Sequence, residues 1–208
     1  MAIENSVTTL MPELLIATNN AGKLAEYRAI LACLRLTLLS LTDAGITVDV
    51  PETGTTFDEN AAMKATEYAR LTSLPTLADD SGLVIDHLGG RPGIYSARYA
   101  GEDATDRDRI DKVLAEMTSA ADRSARFVCV AALADSSGEI IASVNGTCEG
   151  VLTTEPRGSS GFGYDPIFLP ADFDKTFAEL DPETKNRISH RQNAALKIIP
   201  FLQGFFDI

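Results

Sequence analysis

Two consecutive acids, Asp79 and Asp80, follow Leu77 and Ala78 and precede Ser81 and Gly82. Carboxylates in such a setting suit a hard divalent cation, since magnesium is held by one or two of them together with water and substrate phosphates. Neighbouring residues of an extended chain point to opposite sides, so one of the two acids is expected to face a site directly. Glu52, in the polar stretch PETG at 51–54, supplies a second candidate ligand. The cationic counterpart is TNNAGK at 18–23, where Thr18, Asn19, Asn20, Ala21, Gly22 and Lys23 join an apolar run to a helical pattern. Free N–H groups at a helix start, the helix dipole and a lysine together hold anions. The stretch is not a P-loop, because Ala17 and Leu24 stand where that motif needs Gly and Ser or Thr. Each feature also has a plain structural use: a solvated acidic turn, and a strand-to-helix turn with Asn20 as cap and Lys23 in solvent.

A second group lies near the carboxy terminus. GFGYDP at 161–166 joins backbone freedom to two rings, Phe162 and Tyr164, with Gly163 between them and Asp165 after them. Such a loop can lie against a flat ligand or serve as a packed surface turn. Ser189, His190 and Arg191 open a helical pattern and read equally as a cap with two neighbours. Other chemistries fit poorly. GSSGF at 158–162 lacks the final glycine of a nucleophile elbow, two histidines are too few for a histidine-based metal centre, and no G-x-G-x-x-G follows a strand.

These residues need elements to hold them. The apolar run 14–17 reads as a strand, and Leu24, Tyr27, Leu31 and Leu34 are spaced as one helix face. A short strand follows around 36–39. Thr56 with Glu59 reads as a capping box opening a helix whose buried face is Phe57, Ala61, Ala65, Tyr68 and Thr72, with Asn60 and Lys64 on the adjoining face. The strand at 75–78 is expected to end at the two acids and to resume at 83–85. A charged helix is predicted over 105–117. The β-branched runs 125–134 and 139–147 flank DSSG at 135–138 and predict an antiparallel hairpin. A last helix starts at Ser189, with Gln192 completing a second capping box, and turns Ala195, Ile198, Ile199 and Leu202 inward; Pro200 should kink or shorten it. Strands interleaved with helices, plus one hairpin, define an α/β fold with a mixed sheet.

The chain has 208 residues, with 18 Lys and Arg against 30 Asp and Glu, a formal net charge of -12. Proteins that coat nucleic acid depend on clustered cations, so this balance argues against that role. At 45% hydrophobic and 23% charged, the composition is that of an ordinary globular protein. The longest apolar run, 127–134, is far below the roughly 20 residues a bilayer requires. The first cation is Lys23, and Glu4 and Pro12 interrupt the start, so a secretory signal is not expected. Cys33, Cys129 and Cys148 form neither a disulfide framework nor a zinc pattern, which points to a reducing cytoplasm. Residues 1–12 read as a flexible leader and 13–208 as one domain.

Taken together, the segments resemble the inosine triphosphate pyrophosphatase family, the non-canonical purine NTP pyrophosphatases. The matching pieces occur in family order: TNNAGK at 18–23, ETG at 52–54 followed by FDENAAMKA at 57–65, LADDSGL at 77–83, LGGRPGIYSARYAG at 88–101, GFGYDPIF at 161–168 and KNRISHR at 185–191. They cover nearly all of 14–202. Two departures are Asn19, where the family often has Gly, and Pro200.

The resemblance implies a long mixed sheet with flanking helices, in two lobes around a central cleft, and usually a homodimer. It implies that residues 18–23 hold a triphosphate, with Lys64 and Lys185 as further cations. Glu52 and Asp80 would bind magnesium, Asp80 would accept a proton from the attacking water, and Asp79 would support the metal. Ser81 would touch substrate, while Phe162, Gly163, Tyr164, Asp165, His190 and Arg191 would enclose the base. The implied reaction splits ITP, dITP or XTP into the monophosphate and pyrophosphate. Two other readings remain: a nucleotide-binding module without catalysis, and a related pyrophosphatase for pyrimidine or modified nucleotides, as in the distantly similar Maf-like proteins.

Overall fold

Leu14, Leu15, Ile16 and Ala17 are all buried, and the first three lie in strand β1, Glu13–Ile16, at the centre of the parallel half of a sheet. The computed structural model describes residues 11–208, so the expected leader falls outside the described residues except for Met11 and Pro12. After β1 come helix α1, Ala21–Ile30, strand β2, Thr37–Ser40, helix α2, Phe57–Thr72, and strand β3, Thr76–Ile85. The chain continues through helix α3, Asp106–Glu116, the hairpin strands β4, Ser124–Ala134, and β5, Ile140–Leu152, and strand β6, Phe168–Pro170. Helices α4, Pro182–Ile188, and α5, His190–Phe206, complete it. The six strands run in the order β2-β1-β3-β4-β5-β6. β1 is parallel to β2 and β3, and every later pair is antiparallel. This is the mixed α/β sheet with flanking helices that the sequence predicts.

The sequence pattern and the structure differ at β3. The break expected at Asp79 is absent, and one ten-residue strand pairs with β4 from Thr76 opposite Ala134 to Ile85 opposite Ala125. The two acids therefore sit in mid-strand, not at an end. They are tolerated because polar partners meet them on both faces and β4 takes up their backbone groups. Gly82 is required for a different reason. A Cβ there would lie 2.3 Å from the Gly93 carbonyl oxygen and 2.5 Å from Ser96 Oγ, so the segment Gly93–Arg98 can lie directly on the strand.

Three apolar clusters flank the sheet. Tyr27, Leu31, Cys129, Ala194 and Ile198 pack together under α1 and α5. Ala61, Ala65, Tyr68 and Val130 pack on the opposite face under α2. Leu83, Ile110, Val113, Phe127 and Phe168 form the third cluster, beneath α3 at the far end of the sheet. Gly146 in β5 lets α5 approach closely, since a Cβ there would be 2.2 Å from the Ala194 nitrogen. The cap predictions hold in part: Thr56 accepts from the Glu59 N–H at 3.1 Å, but the Glu59 carboxylate returns to Thr55 instead of Thr56. α5 runs through Pro200 to Phe206 without being shortened. Pro200 and Leu196 are exposed, so the carbonyl deprived of its helical partner faces water.

Candidate active site

The loop between β1 and α1 is shaped by its own side chains. Thr18 Oγ1 accepts from the Asn20 N–H at 3.1 Å, and Asn20 caps α1 by accepting from the Lys23 N–H at 3.0 Å. Asn19 turns outward and donates to Asp49 at 3.2 Å. Ala21 and Gly22 form the open first turn, where unpaired N–H groups favour an anion. Lys23 is not in solvent: its ammonium lies 3.0 Å from Asp79 Oδ2.

Asp79 and Asp80 diverge, as alternation along a strand requires. Asp79 turns toward α1 and α5, where it meets Lys23, Arg191 Nε at 3.6 Å and the Cys129 thiol at 3.7 Å. Burial works to raise its pKa, but Lys23, Arg191 and Lys64 outweigh burial and hold the carboxyl well below the usual range. It is thus a counter-ion to two cations, Lys23 and Arg191. Asp80 turns toward α2, accepting from Asn60 Nδ2 and from the Ser81 N–H, each at 3.0 Å. Its pKa is raised, first by burial and further by the charge of Glu52, against the pull of Lys64.

Glu52 reaches the same place from the loop before α2, which Asn60 fastens by accepting from the Gly54 N–H at 2.8 Å. Lys64 stands between the acids, 2.5 Å from Glu52 Oε1 and 3.9 Å from Asp80 Oδ1. Burial lowers the lysine's pKa, but Asp79, Glu52 and Asp80 raise it above its ordinary value. Arg98 lies 3.9 Å from the other Glu52 oxygen. Among the described residues no three His, Cys, Asp or Glu side chains converge as a closed metal cage. Two carboxylates are nevertheless the donor set for magnesium that takes its remaining ligands from phosphate and water. Glu52 and Asp80 stand on either side of Lys64 and border the same cleft, so the donor set present fits such an ion.

At the other end of the cleft, Asp165 Oδ2 accepts from the Phe162 N–H at 2.9 Å and from Lys185 Nζ at 2.6 Å. Lys185 also pairs with Glu26 at 2.8 Å, and Glu26 pairs with Arg191. Arg191 is only 1% exposed and donates to Ser81 Oγ at 3.1 Å. His190 stacks on Phe127, with centroids 4.7 Å apart, and burial with Arg191 and Lys185 nearby pushes its pKa well below the ordinary histidine value. Tyr164 is anchored rather than free: its hydroxyl donates to the Ser96 carbonyl at 2.9 Å and its ring joins the third cluster. Phe162, half-buried, is the ring left to face a ligand, with Lys185 Nζ 4.7 Å from its centroid. Ser81, Phe162, Tyr164, Asp165, Lys185, His190 and Arg191 line one cleft together with Lys23, Glu52 and Asp80, so aromatic and charged groups converge on the same space.

The Ham1 family model matches residues 14–201, nearly the whole described chain. The chain belongs to the Ham1 family. Among Ham1 relatives, it is 50% identical over 194 residues to the dITP/XTP pyrophosphatase of Halalkalibacterium halodurans, covering 92% of this chain and 100% of that one. It is 48% identical over 197 residues to the dITP/XTP pyrophosphatase of Bacillus subtilis, covering 94% and 99%. The Ham1 protein structure from Coxiella burnetii superimposes with a TM-score of 0.84 at 44% identity, covering 93% of this chain and 100% of that one. The Ham1 protein of Staphylococcus aureus gives 0.82 at 41%, covering 93% and 99%. The motif resemblance is thereby borne out at the level of the family.

In this Ham1 chain the cleft is lined by Asn20, Lys23, Glu52, Asp80, Ser81, residues 162–165, Lys185, His190 and Arg191. Thr18, Asn19, Ala21, Gly22 and Lys64 are not among the residues that line it: the first four belong to the loop and first turn at its rim, and Lys64 stands between Glu52 and Asp80. Sequence reasoning missed Glu26, Asp106 and Arg109. Glu26 lies three residues after Lys23 on α1, a spacing that places the two on one side of a helix, but only the fold brings Lys185 and Arg191 to it.

Proposed function

We propose that this Ham1 chain hydrolyses non-canonical purine nucleoside triphosphates, ITP, dITP and XTP, to the monophosphate and pyrophosphate. The observation that carries the reading is the pairing of Asp80, a buried carboxyl of raised pKa beside Glu52 and Lys64, with a helix N-terminus and Lys23 across the same cleft. Residues 18–23 and the lysines bind the phosphates. Magnesium, held by Glu52 and Asp80, would offset phosphate charge and lower the pKa of an attacking water. Asp80 takes the proton from that water, and its raised pKa makes it a stronger base than an ordinary carboxylate. Lys64, beside Glu52 and Asp80, supplies positive charge next to the charge that grows on the leaving pyrophosphate.

Phe162 offers a face to the base while Tyr164 and His190 form fixed walls. Arg191 has donors only, so it suits the 6-oxygen of hypoxanthine or xanthine and opposes the 6-amino group of adenine. Ser81 and Asp165 keep Arg191 and Lys185 in place. The net charge of -12 opposes long nucleic acids and leaves free nucleotides as substrates. No helix among the described residues is long and apolar enough to cross a membrane. A homodimer working in the cytoplasm completes the proposal, on the strength of the family resemblance and the cysteine pattern. Incubation with ITP and magnesium should release IMP and pyrophosphate; IDP with orthophosphate would overturn the reading. Asp80→Asn should abolish turnover, and kcat/KM across ITP, XTP, GTP, dTTP and UTP should be highest for the first two.

A further inference from the structure

Asp106, the first residue of α3, has no part in the reaction outlined above. Its carboxylate accepts from the Gly163 N–H at 2.7 Å and borders the same cleft as Asp80 and Arg191. Arg109 holds the other oxygen of Asp106 and also donates to the carbonyls of Ala97, at 2.5 Å, and Ala104, at 2.9 Å. One carboxylate is thus fixed to α3, to the turn before it and to the segment that lies on β3.

Gly163 has φ +61, in the left-handed region where glycine alone is free of steric direction. Its backbone needs another constraint, and two carboxylates provide one. Asp165 takes the N–H of Phe162 at 2.9 Å and Asp106 takes the next N–H along the chain. Two successive N–H groups tied to different elements fix the peptide planes on both sides of Phe162. They thereby fix the direction of the ring, which rests against Gly22 of the phosphate loop.

We propose that Asp106 is a positioning residue for the nucleoside end of the substrate, acting through Gly163 to hold the 161–165 loop in its base-receiving form before the nucleotide arrives. A loop ordered in advance loses less freedom on binding, so affinity for the base rises with no new contact. The inference rests on the proposed reading of the cleft. It also makes a distinction that general loosening would not make, because the hydrogen bonds that shape the phosphate loop come from Thr18 and Asn20, and Asp106 touches that loop only through the Phe162 ring against Gly22.

The test compares wild type, Asp106→Ala and Asp106→Asn by calorimetric binding of IMP and of inorganic pyrophosphate with magnesium, alongside kcat and KM for ITP. For Asp106→Ala the Kd for IMP and the KM for ITP should rise about tenfold, the scale of one hydrogen bond. Its kcat and its affinity for pyrophosphate should stay within about twofold of wild type. Asp106→Asn keeps an oxygen that can accept from Gly163 and should recover most of the IMP affinity. If Ala lowers the thermal midpoint below the assay temperature, Asp106→Ser, a residue favoured at helix starts, takes its place. Unchanged IMP binding in an otherwise active variant overturns the positioning role alone. Equal losses for IMP and pyrophosphate also overturn it, and wild-type protein that binds neither counts against the functional reading as well.

Discussion

Replacing Asp79 by Asn tests the division of labour between two adjacent acids. The Asp79 side chain is 1% exposed and lies 3.0 Å from Lys23 and 3.6 Å from Arg191. Removing one partner of a buried ion pair typically costs about 3–5 kcal/mol, because the remaining charge is left uncompensated. Two features reduce the loss here. Arg191 keeps Glu26, and Lys23, 14% exposed, can turn its ammonium toward water. The expected loss is therefore about 3 kcal/mol, equivalent to a fall of about 6–12 °C in Tm for a chain of this size. Asp80→Asn should behave oppositely. Burial and Glu52 disfavour the Asp80 charge, so its removal should change stability by less than about 1 kcal/mol or raise it. Urea denaturation of both variants at pH 7 measures the contrast. Its pH dependence is also defined. A folded pKa below the unfolded value of about 3.9 means that the Asp79 contribution is complete above that value and is lost only as pH falls toward the folded pKa. The gap between wild type and Asp79→Asn should thus hold from pH 7 to pH 5. Asp80 has the opposite sign: its ionised form costs stability above its raised pKa, so any advantage of Asp80→Asn should shrink on acidification. Equal destabilisation by the two substitutions, or an Asp79→Asn variant within 0.5 kcal/mol of wild type, would refute the reasoning.

Three further outcomes follow from the packing. His190 should show no imidazole titration by NMR between pH 6 and pH 8, since burial and two neighbouring cations keep it neutral; a midpoint inside that window contradicts the stacked arrangement. Gly22→Ala places a Cβ 2.4 Å from Phe162 Cδ1, so the ring must move. Alanine favours a helix over glycine by roughly 0.5–1 kcal/mol, so stability should hold while IMP binding weakens about tenfold, and undiminished IMP affinity would show that the ring does not serve the base. Gly146→Ala meets backbone instead, with its Cβ 2.2 Å from the Ala194 nitrogen and 2.3 Å from the His190 carbonyl oxygen. Backbone yields less than a side chain, so denaturation should show a loss of about 3 kcal/mol, and a loss under 0.5 kcal/mol would mean that α5 can lift from β5 freely.

Local pattern carried most of the elements. Helical spacing predicts Leu24, Tyr27, Leu31 and Leu34 as one face and Phe57, Ala61, Ala65, Tyr68 and Thr72 as another; Tyr27 in α1, Leu31 just after it, and Ala61, Ala65 and Tyr68 in α2 are buried, while Leu24, Leu34, Phe57 and Thr72 are half-buried. The hairpin was legible because turn residues separate two β-branched runs, and β4 and β5 form it at greater length than predicted. The reading failed at β3, where a pair of acids followed by Ser and Gly has the local signature of a turn. Whether such a stretch stays extended depends on what lies opposite it: β4 on one edge, Lys23 and Arg191 on one face, Asn60 and Lys64 on the other.

The same division applies to the site. The sequence by itself determined which residue types were available, the capped helix starts at Asn20, Thr56 and Ser189, and the order of the motifs along the chain. It also determined that Asp79 and Asp80 must point apart, because alternation is a property of any extended backbone. Only the tertiary structure decided that Asp79 serves as a counter-ion while Asp80 keeps a raised pKa, since a carboxyl's charge state depends on distance to other charges and on burial. It alone brought Glu26 to Lys185 and Arg191, and Asp106 to Gly163. Those contacts join residues more than fifty positions apart, and Coulomb and hydrogen-bond energies depend on separation in space, which local sequence does not encode.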